Sequence, residues 1–237
     1  LLQTGRDEHG NSWPIHFQSF NDWKPGLYFY IVLPFVATMG LTELAVRLPG
    51  ALLGVGTVFL VWLLVRELFP NKKWLPELSA LFLAISPWHI HFSRGGWEVN
   101  VATFFITTGA WVFLKALKEK KSLYISAISF AVSLYAYHAA RVVVPLFIIG
   151  LLVAYRKWLR TSIKAVLVSG FVGVLFLIPL IVDLTGPAGL SRASGVGLFA
   201  DTGPFWRINY QRGEHDDFQG PLARIFHNKP VNYGLAF

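Results

Sequence analysis

Long blocks of apolar residues, separated by short turns that are charged or carry Gly and Pro, dominate the first 184 positions of the chain. Predominantly apolar stretches of about 17 to 25 residues are long enough to cross a bilayer. Six candidates fall at roughly 43 to 65, 74 to 91, 99 to 114, 122 to 138, 140 to 155 and 163 to 182. The block from Leu27 to Leu41 is shorter and carries Pro34 and Gly40, so it reads as an interfacial or re-entrant helix. The pattern predicts an all-α protein: a polytopic transmembrane helix bundle of about six spans plus an interfacial helix in the first outer loop. Two regions follow. Residues 1–183 form the membrane region, with the first outer loop over 1–42, and residues 184–237 open a long outer loop.

Composition agrees with this reading. Of 237 residues, 54% are hydrophobic and 14% charged, with a mean hydropathy of +0.50, a poor match to a soluble domain. The absence of Cys excludes disulfides, thiolate metal sites and a Cys nucleophile. The net charge of +8 could point to nucleic acid, but its placement does not. Threading the spans puts Arg66, Lys72, Lys73, Lys115, Lys118, Lys120, Lys121, Arg156, Lys157, Arg160 and Lys164 on one side with only Glu67, Glu77 and Glu119. That side carries the whole excess of +8 and is expected to be cytoplasmic, so no nucleic-acid partner is needed. The chain opens Leu1-Leu2-Gln3 without an initiator Met and closes on Leu235-Ala236-Phe237 within apolar sequence; it is expected to be a fragment, and no signal peptide is identifiable.

The opposite side holds ionisable residues at the membrane boundary: Asp22 and Lys24, Glu43 and Arg47, Arg94 and Glu98, and Arg141. A charge carried to mid-membrane costs about 2.5 to 3.5 kcal/mol, and less near the interface, so such residues are candidates for function. Chemistry on a phosphate-linked lipid needs a fixed cation for the phosphate and a carboxylate to take the acceptor's proton. Both kinds are present, although a transporter for a lipid or anionic solute would show the same. Transporters, however, are expected to show repeated halves and broken helices near the bilayer midplane, whereas the charged groups here sit at one face, which favours an enzyme. Glu43 and Arg47, four apart, also read as a structural ion pair. His89 and His91, two apart on a helix, point in different directions and form no metal motif. Trp74, Trp88 and Trp97 suit an interfacial aromatic belt. His138 lies beside Tyr137 and close to Arg141 in a tight turn.

The strings Asp22-Trp23-Lys24-Pro25-Gly26-Leu27-Tyr28 and Glu43-Leu-Ala-Val-Arg47-Leu-Pro49 resemble the D-x-K-P-P-L-Y and E-x-x-x-R-L-P signatures of bacterial dolichyl-phosphate-mannose protein mannosyltransferases. Ser86-Pro87-Trp88 with Ser93-Arg94 and Glu98, and Tyr135-x-Tyr137-His138-Ala-Ala-Arg141, resemble the next outer turns of that family. Ala223-Arg224-Ile-Phe-His-Asn228-Lys229-Pro230 adds weaker similarity. The aminoarabinose transferases of lipid A are relatives in the same C-type glycosyltransferase superfamily.

The resemblance implies a multi-pass enzyme of the cell membrane. It would move a sugar from a polyprenyl-phosphate carrier to a protein, lipid or glycan acceptor on the periplasmic or extracellular side, with inversion. Lys24 would hold the carrier phosphate, Glu98 would be the acidic residue of the second outer turn, and Arg94, His138 and Arg141 would lie near the donor. Asp7, Glu8 and Asp22 join Glu98 as candidate acids; Asp7, within Thr4-Gly5-Arg6-Asp7-Glu8-His9-Gly10-Asn11, would have a secondary role, with the main base expected before Leu1. No cofactor is implied, and a divalent cation is left open. Gly26 stands where the family usually has a second Pro.

Overall fold

The computed structural model describes residues 1, 4–19, 22–118 and 123–186. The expected outer loop, with Arg192, Arg207, Arg212, Asp216, Asp217 and Lys229, lies outside the described residues apart from its first positions; so do Glu119, Lys120 and Lys121. A β-hairpin of β1 (His16–Ser19) and β2 (Asp22–Pro25) comes first. Helices α1 (Leu27–Met39), α2 (Glu43–Leu68), α3 (Leu75–Ile85), α4 (Pro87–Arg94) and α5 (Glu98–Lys118) follow. Then come α6 (Leu123–Ala136), α7 (Ala140–Ala154), α8 (Arg156–Thr161) and α9 (Ile163–Leu184).

Three of these helices, α2, α5 and α9, are long and apolar enough to cross a membrane, while α1, α3, α6 and α7 are shorter apolar helices. At about 1.5 Å per residue, the 26 residues of α2 extend about 39 Å, beyond the roughly 30 Å hydrocarbon layer. The Thr42 side chain starts α2 by accepting from the Ala45 N–H at 3.2 Å. Large apolar side chains face outward, among them Val55, Phe171 and Val182, as lipid rather than water requires. The result is an all-α, multi-pass membrane bundle.

The stretch expected as one span over 74–91 is two helices. Pro87 disfavours the helical region for the residue before it, and Ser86 is extended at φ −64°, ψ 121°. Both pieces still run along α2. Glu77 accepts from the Trp62 indole near the start of α3, and further on Ser93 in α4 meets Gly54. Two further features went unforeseen, the hairpin and the short basic helix α8.

Helix α2 packs on α3, α4 and α5, α5 on α6, and α6 on α9. Small residues bring these backbones together where the hydrophobic effect between helices is weak. A Cβ at Gly54 would lie 2.6 Å from the Ser93 Cβ, and one at Gly109 2.8 Å from the Phe130 ring. Polar side chains bridge the same contacts: Asn100 donates to the Gly50 carbonyl at 2.6 Å, and Ser126 to that of Gly109 at 2.7 Å. Pro179 lies inside α9, and beside it the Tyr135 hydroxyl inserts between backbone groups, donating to the Phe176 carbonyl and accepting from the Leu180 N–H.

The two ends of the bundle differ in charge. At one end Lys118 pairs with Glu67 and the Trp158 indole donates to the Leu117 carbonyl, gathering the ends of α2 and α5 with α8 and its basic residues. The hairpin, the start of α1, the α4–α5 turn and the start of α7 gather at the other end, where the candidate residues lie.

Gly26 closes the hairpin onto α1. Its N–H donates to the Ile15 carbonyl at 2.8 Å, and a Cβ there would sit 2.6 Å from that same oxygen. Proline could supply neither the donor nor the space. Gly26→Ala should therefore destabilise the protein by about 1 to 3 kcal/mol through overpacking against backbone, read as a lowered midpoint in thermal unfolding in detergent; an unchanged midpoint would show that the hairpin is not packed this tightly.

Candidate functional site

The hairpin register pairs His16 with Pro25, Phe17 with Lys24, Gln18 with Trp23 and Ser19 with Asp22. Successive strand residues project to opposite faces, so Lys24 shares a face with Phe17 while His16 and Trp23 take the other. Lys24 is exposed and makes no ion pair or side-chain hydrogen bond with another described residue.

Lys24 lines a cavity of about 480 Å3 together with Glu98. The walls are apolar, built by Tyr28, Phe29, Val32 and Val36 of α1, Val46 of α2 and Trp97. Tyr28 fixes the corner between α1 and α2 by donating to the Val46 carbonyl at 2.7 Å. Beneath its hydroxyl passes Gly96, at φ +70°, where a Cβ would lie 3.0 Å from the Tyr28 oxygen. That turn delivers Glu98 to the first turn of α5, where a carboxylate is favoured by the exposed N–H groups of the helix end.

A second cavity of about 350 Å3 shares Leu1 and Phe29 with the first and is lined by Arg6, Asp7, Glu8 and His9. Within it Asp7 is fully engaged. Oδ1 accepts from the N–H groups of His9 and Asn11 at 3.0 and 2.8 Å, and Oδ2 from the Asn11 amide at 2.9 Å. The Asn11 amide, then the backbone donors, hold its carboxyl below the usual carboxylate range. Glu8 is exposed and lies 3.5 Å from His9.

On the other hairpin face a network joins four elements. Arg141, in the first turn of α7, donates through Nε to the Leu134 carbonyl at 3.2 Å, through Nη1 to His138 Nδ1 at 3.0 Å and through Nη2 to His16 Nε2 at 2.6 Å. With Nδ1 accepting, His138 carries its proton on Nε2 and donates to the Trp23 carbonyl at 2.9 Å. His16 is then protonated on Nδ1, which donates to Asp183 at the end of α9. The two imidazoles lie near parallel, 5.9 Å apart. Burial, foremost, and the Arg141 charge lower the His16 pKa, while the Asp183 contact opposes them. Both histidines are thus neutral donors and acceptors around one guanidinium.

The structure therefore sorts the predicted residues into three groups and two outliers. Lys24 and Glu98 meet in one cavity, Asp7 and Glu8 line its neighbour, and His138 and Arg141 join the network that holds β2 beside Lys24. Arg94 is exposed at the end of α4 and lines neither cavity. Asp22 takes its place opposite Ser19, and its side chain lies outside the described residues. Glu43 and Arg47 form the i,i+4 ion pair, at 2.6 Å. His89 donates to the Gly54 carbonyl at 3.1 Å. Among the described residues no three His, Asp or Glu gather as a metal would need. Sequence reading missed His16 and Asp183, which are 167 positions apart; no local pattern links them.

These features define a multi-pass helical membrane protein with a polar site at one end of the bundle. A family model for dolichyl-phosphate-mannose-protein mannosyltransferases matches residues 23–182, about two thirds of the chain, and the chain belongs to this family. It is similar to "Putative mannosyltransferase YycA" of Bacillus subtilis (strain 168), 29% identical over 150 residues that cover 62% of this chain and 22% of that protein. It is also similar to "Putative mannosyltransferase YkcB" of the same organism, 26% identical over 169 residues covering 68% of this chain and 23% of that one. The chain thus spans less than a quarter of the length of these relatives. No solved structure matches it.

The buried neutral His16 makes stability depend on pH. Its folded pKa lies below the unfolded value of about 6.5, so the unfolded chain binds the extra proton first. The contribution is complete above about pH 6.5 and is lost as pH falls from there through the lowered folded value. The melting temperature should fall over that window, and His16→Gln, which keeps a donor and an acceptor but cannot charge, should flatten the fall; an equal acid slope in both proteins would refute the neutral assignment.

Proposed function

We propose that this chain forms the donor-binding part of a membrane glycosyltransferase that transfers a sugar from a polyprenyl-phosphate carrier to a protein, lipid or glycan acceptor at the outer face of the cell membrane. The observation that carries the reading is that Lys24, without an acidic partner among the described residues, shares an apolar-walled cavity with Glu98. A phosphate on a lipid tail needs that combination: a cation for the head and apolar surface for the chain. Family membership supports the reaction class.

In the transfer, the acceptor oxygen or nitrogen attacks the anomeric carbon from the face opposite the phosphate. The carbon–oxygen bond to the phosphate breaks with its electron pair, the configuration inverts, and a carboxylate takes the acceptor's proton. Lys24 stabilises the charge gathering on the departing phosphate. Among the described acids, Glu98 in the cavity and Glu8 at its neighbour are our candidates beside a main base expected before Leu1. Asp7, with both oxygens engaged and its basicity reduced, shapes the loop that presents Glu8. His138 and Arg141 hold the Trp23–Lys24 strand in register.

Lys24→Ala in the full-length protein should weaken binding of a polyprenyl-phosphate sugar roughly ten- to a hundredfold, the worth of one charge-assisted hydrogen bond, and should slow transfer as well. Lys24→Arg should keep part of both, because the charge persists while its geometry changes. Binding and turnover measured in nanodiscs decide this: a folded Lys24→Ala protein that behaves like its parent would remove Lys24 from the phosphate site.

The outer-face assignment rests on the segregation of basic residues to the opposite end of the bundle. Because the chain has no Cys, single cysteines at Thr42 and Lys157 report on sidedness without background from this segment. An impermeant maleimide added outside intact cells should label position 42 and not 157; the reverse would invert the orientation.

A further inference from the structure

A groove of about 330 Å3 runs between α5, α6, α7 and α9, from Leu134 and Val144 on the side of the Arg141 network to Leu159 of α8 at the end opposite Lys24. Its floor includes the buried Phe130 and Val144, and its lip the exposed Leu152 and Val174, so it opens where acyl chains lie. Gly170 lines it, and a Cβ there would meet nothing within 4 Å.

Around the Leu159 end stand Arg156, Lys157, Arg160 and Lys164, all exposed, with no acid between them or along α9 before Asp183. None forms an ion pair or side-chain hydrogen bond with another described residue. Three of the other cations at this end of the bundle are used internally: Lys118 pairs with Glu67, Arg66 lies over the Trp62 ring and Lys115 over that of Trp111, while Lys72 and Lys73 are exposed between α2 and α3. The Trp158 indole, bonded to the Leu117 carbonyl at 3.0 Å, fixes α8 against α5. At the elbow between Arg160 and Lys164, the buried Ser162 hydroxyl has no hydrogen-bond partner among the described residues.

We infer that α8 and this groove bind one anionic phospholipid of the surrounding leaflet. The phosphate sits among Arg156, Lys157, Arg160 and Lys164, and one acyl chain fills the groove past Gly170. A soluble anion would leave the groove empty and a zwitterionic lipid would leave the four cations unmatched, whereas an anionic phospholipid satisfies both. The site does not depend on the proposed sugar transfer.

The test uses the full-length protein in neutral detergent, titrated with phosphatidylglycerol, with phosphatidylcholine of identical chains, and with glycerol 3-phosphate as a headgroup without a tail. Bound lipid is read by native mass spectrometry and its effect by thermal unfolding. Phosphatidylglycerol should be retained and raise the melting temperature, while the other two should do so weakly or not at all. The R156Q/K157Q/R160Q variant should bind phosphatidylglycerol on the order of a hundredfold more weakly, roughly fivefold per charge removed. Gly170→Leu, which fills the groove and leaves the charges, should weaken the binding of phosphatidylglycerol. Equal binding of the two lipids, a triple variant that keeps its phosphatidylglycerol, stabilisation by glycerol 3-phosphate alone, or a Gly170→Leu protein with unaltered lipid binding would each overturn the assignment. Should the triple variant fail to fold, the comparison of the two lipids on the unaltered protein and on Gly170→Leu decides.

Discussion

A guanidinium cannot shed its proton, so Arg141, placed at the membrane boundary, must be solvated by something in the fold. It spends its donors on the last turn of α6, on His138 and on His16. Each of those contacts constrains another: His138 grips the Trp23 carbonyl, and His16 grips Asp183. One cation therefore ties α6, α7, α9 and the hairpin together, and it also dictates which ring nitrogen of each histidine carries hydrogen. The position of Lys24, one residue beyond Trp23, depends on this arrangement.

The same constraint, polar groups paired wherever water is scarce, explains how the rest of the bundle is assembled. Hydrophobicity places the helices in lipid but does little to press one against another. Contacts are made where glycine permits close approach and a side-chain donor finds a carbonyl, as Asn100 does at Gly50 and Ser126 at Gly109. Tyr135 acts alike within α9 near Pro179. The α4–α5 turn is held by such contacts on one side and by the Tyr28 hydroxyl on the other, which brings Glu98 to the cavity that Lys24 lines.

Charge divides the bundle into two unlike ends. The end with α8 concentrates cations on short connections, and its packed cluster of Phe113, Leu114, Leu123 and Leu159 supports them from within. The Lys24 end carries fewer, mixed charges, and most of those described are engaged with one another or with backbone. Lys24, Arg6 and Arg94 differ in this respect, since none makes a side-chain ion pair or hydrogen bond with another described residue; Lys24 shares its cavity with Glu98, Arg6 shares the neighbouring one with Asp7 and Glu8, and Arg94 lines neither.

Much of the architecture was legible because partitioning into lipid depends on composition over a short window. The apolar blocks and the gathering of Lys and Arg on alternate connections need no knowledge of distant residues, whereas the break at Pro87, local as its cause is, falls within a stretch that reads as one span. Lys24, Glu98, His138 and Arg141 stood out for a related reason, since a charge or a histidine beside a membrane span is costly wherever the chain later goes. What such a window cannot contain is the choice of partner. The hairpin rests on four cross-strand pairs of weak local pattern, and Asp183 finds His16 across 167 positions. By itself, the sequence determined that this is a helical membrane protein with ionisable groups at one boundary. Only the tertiary structure decided which of them share a cavity and which neutralise one another, because pairing polar groups is a matter of distance in space, and the chain sets that distance only when the helices have packed.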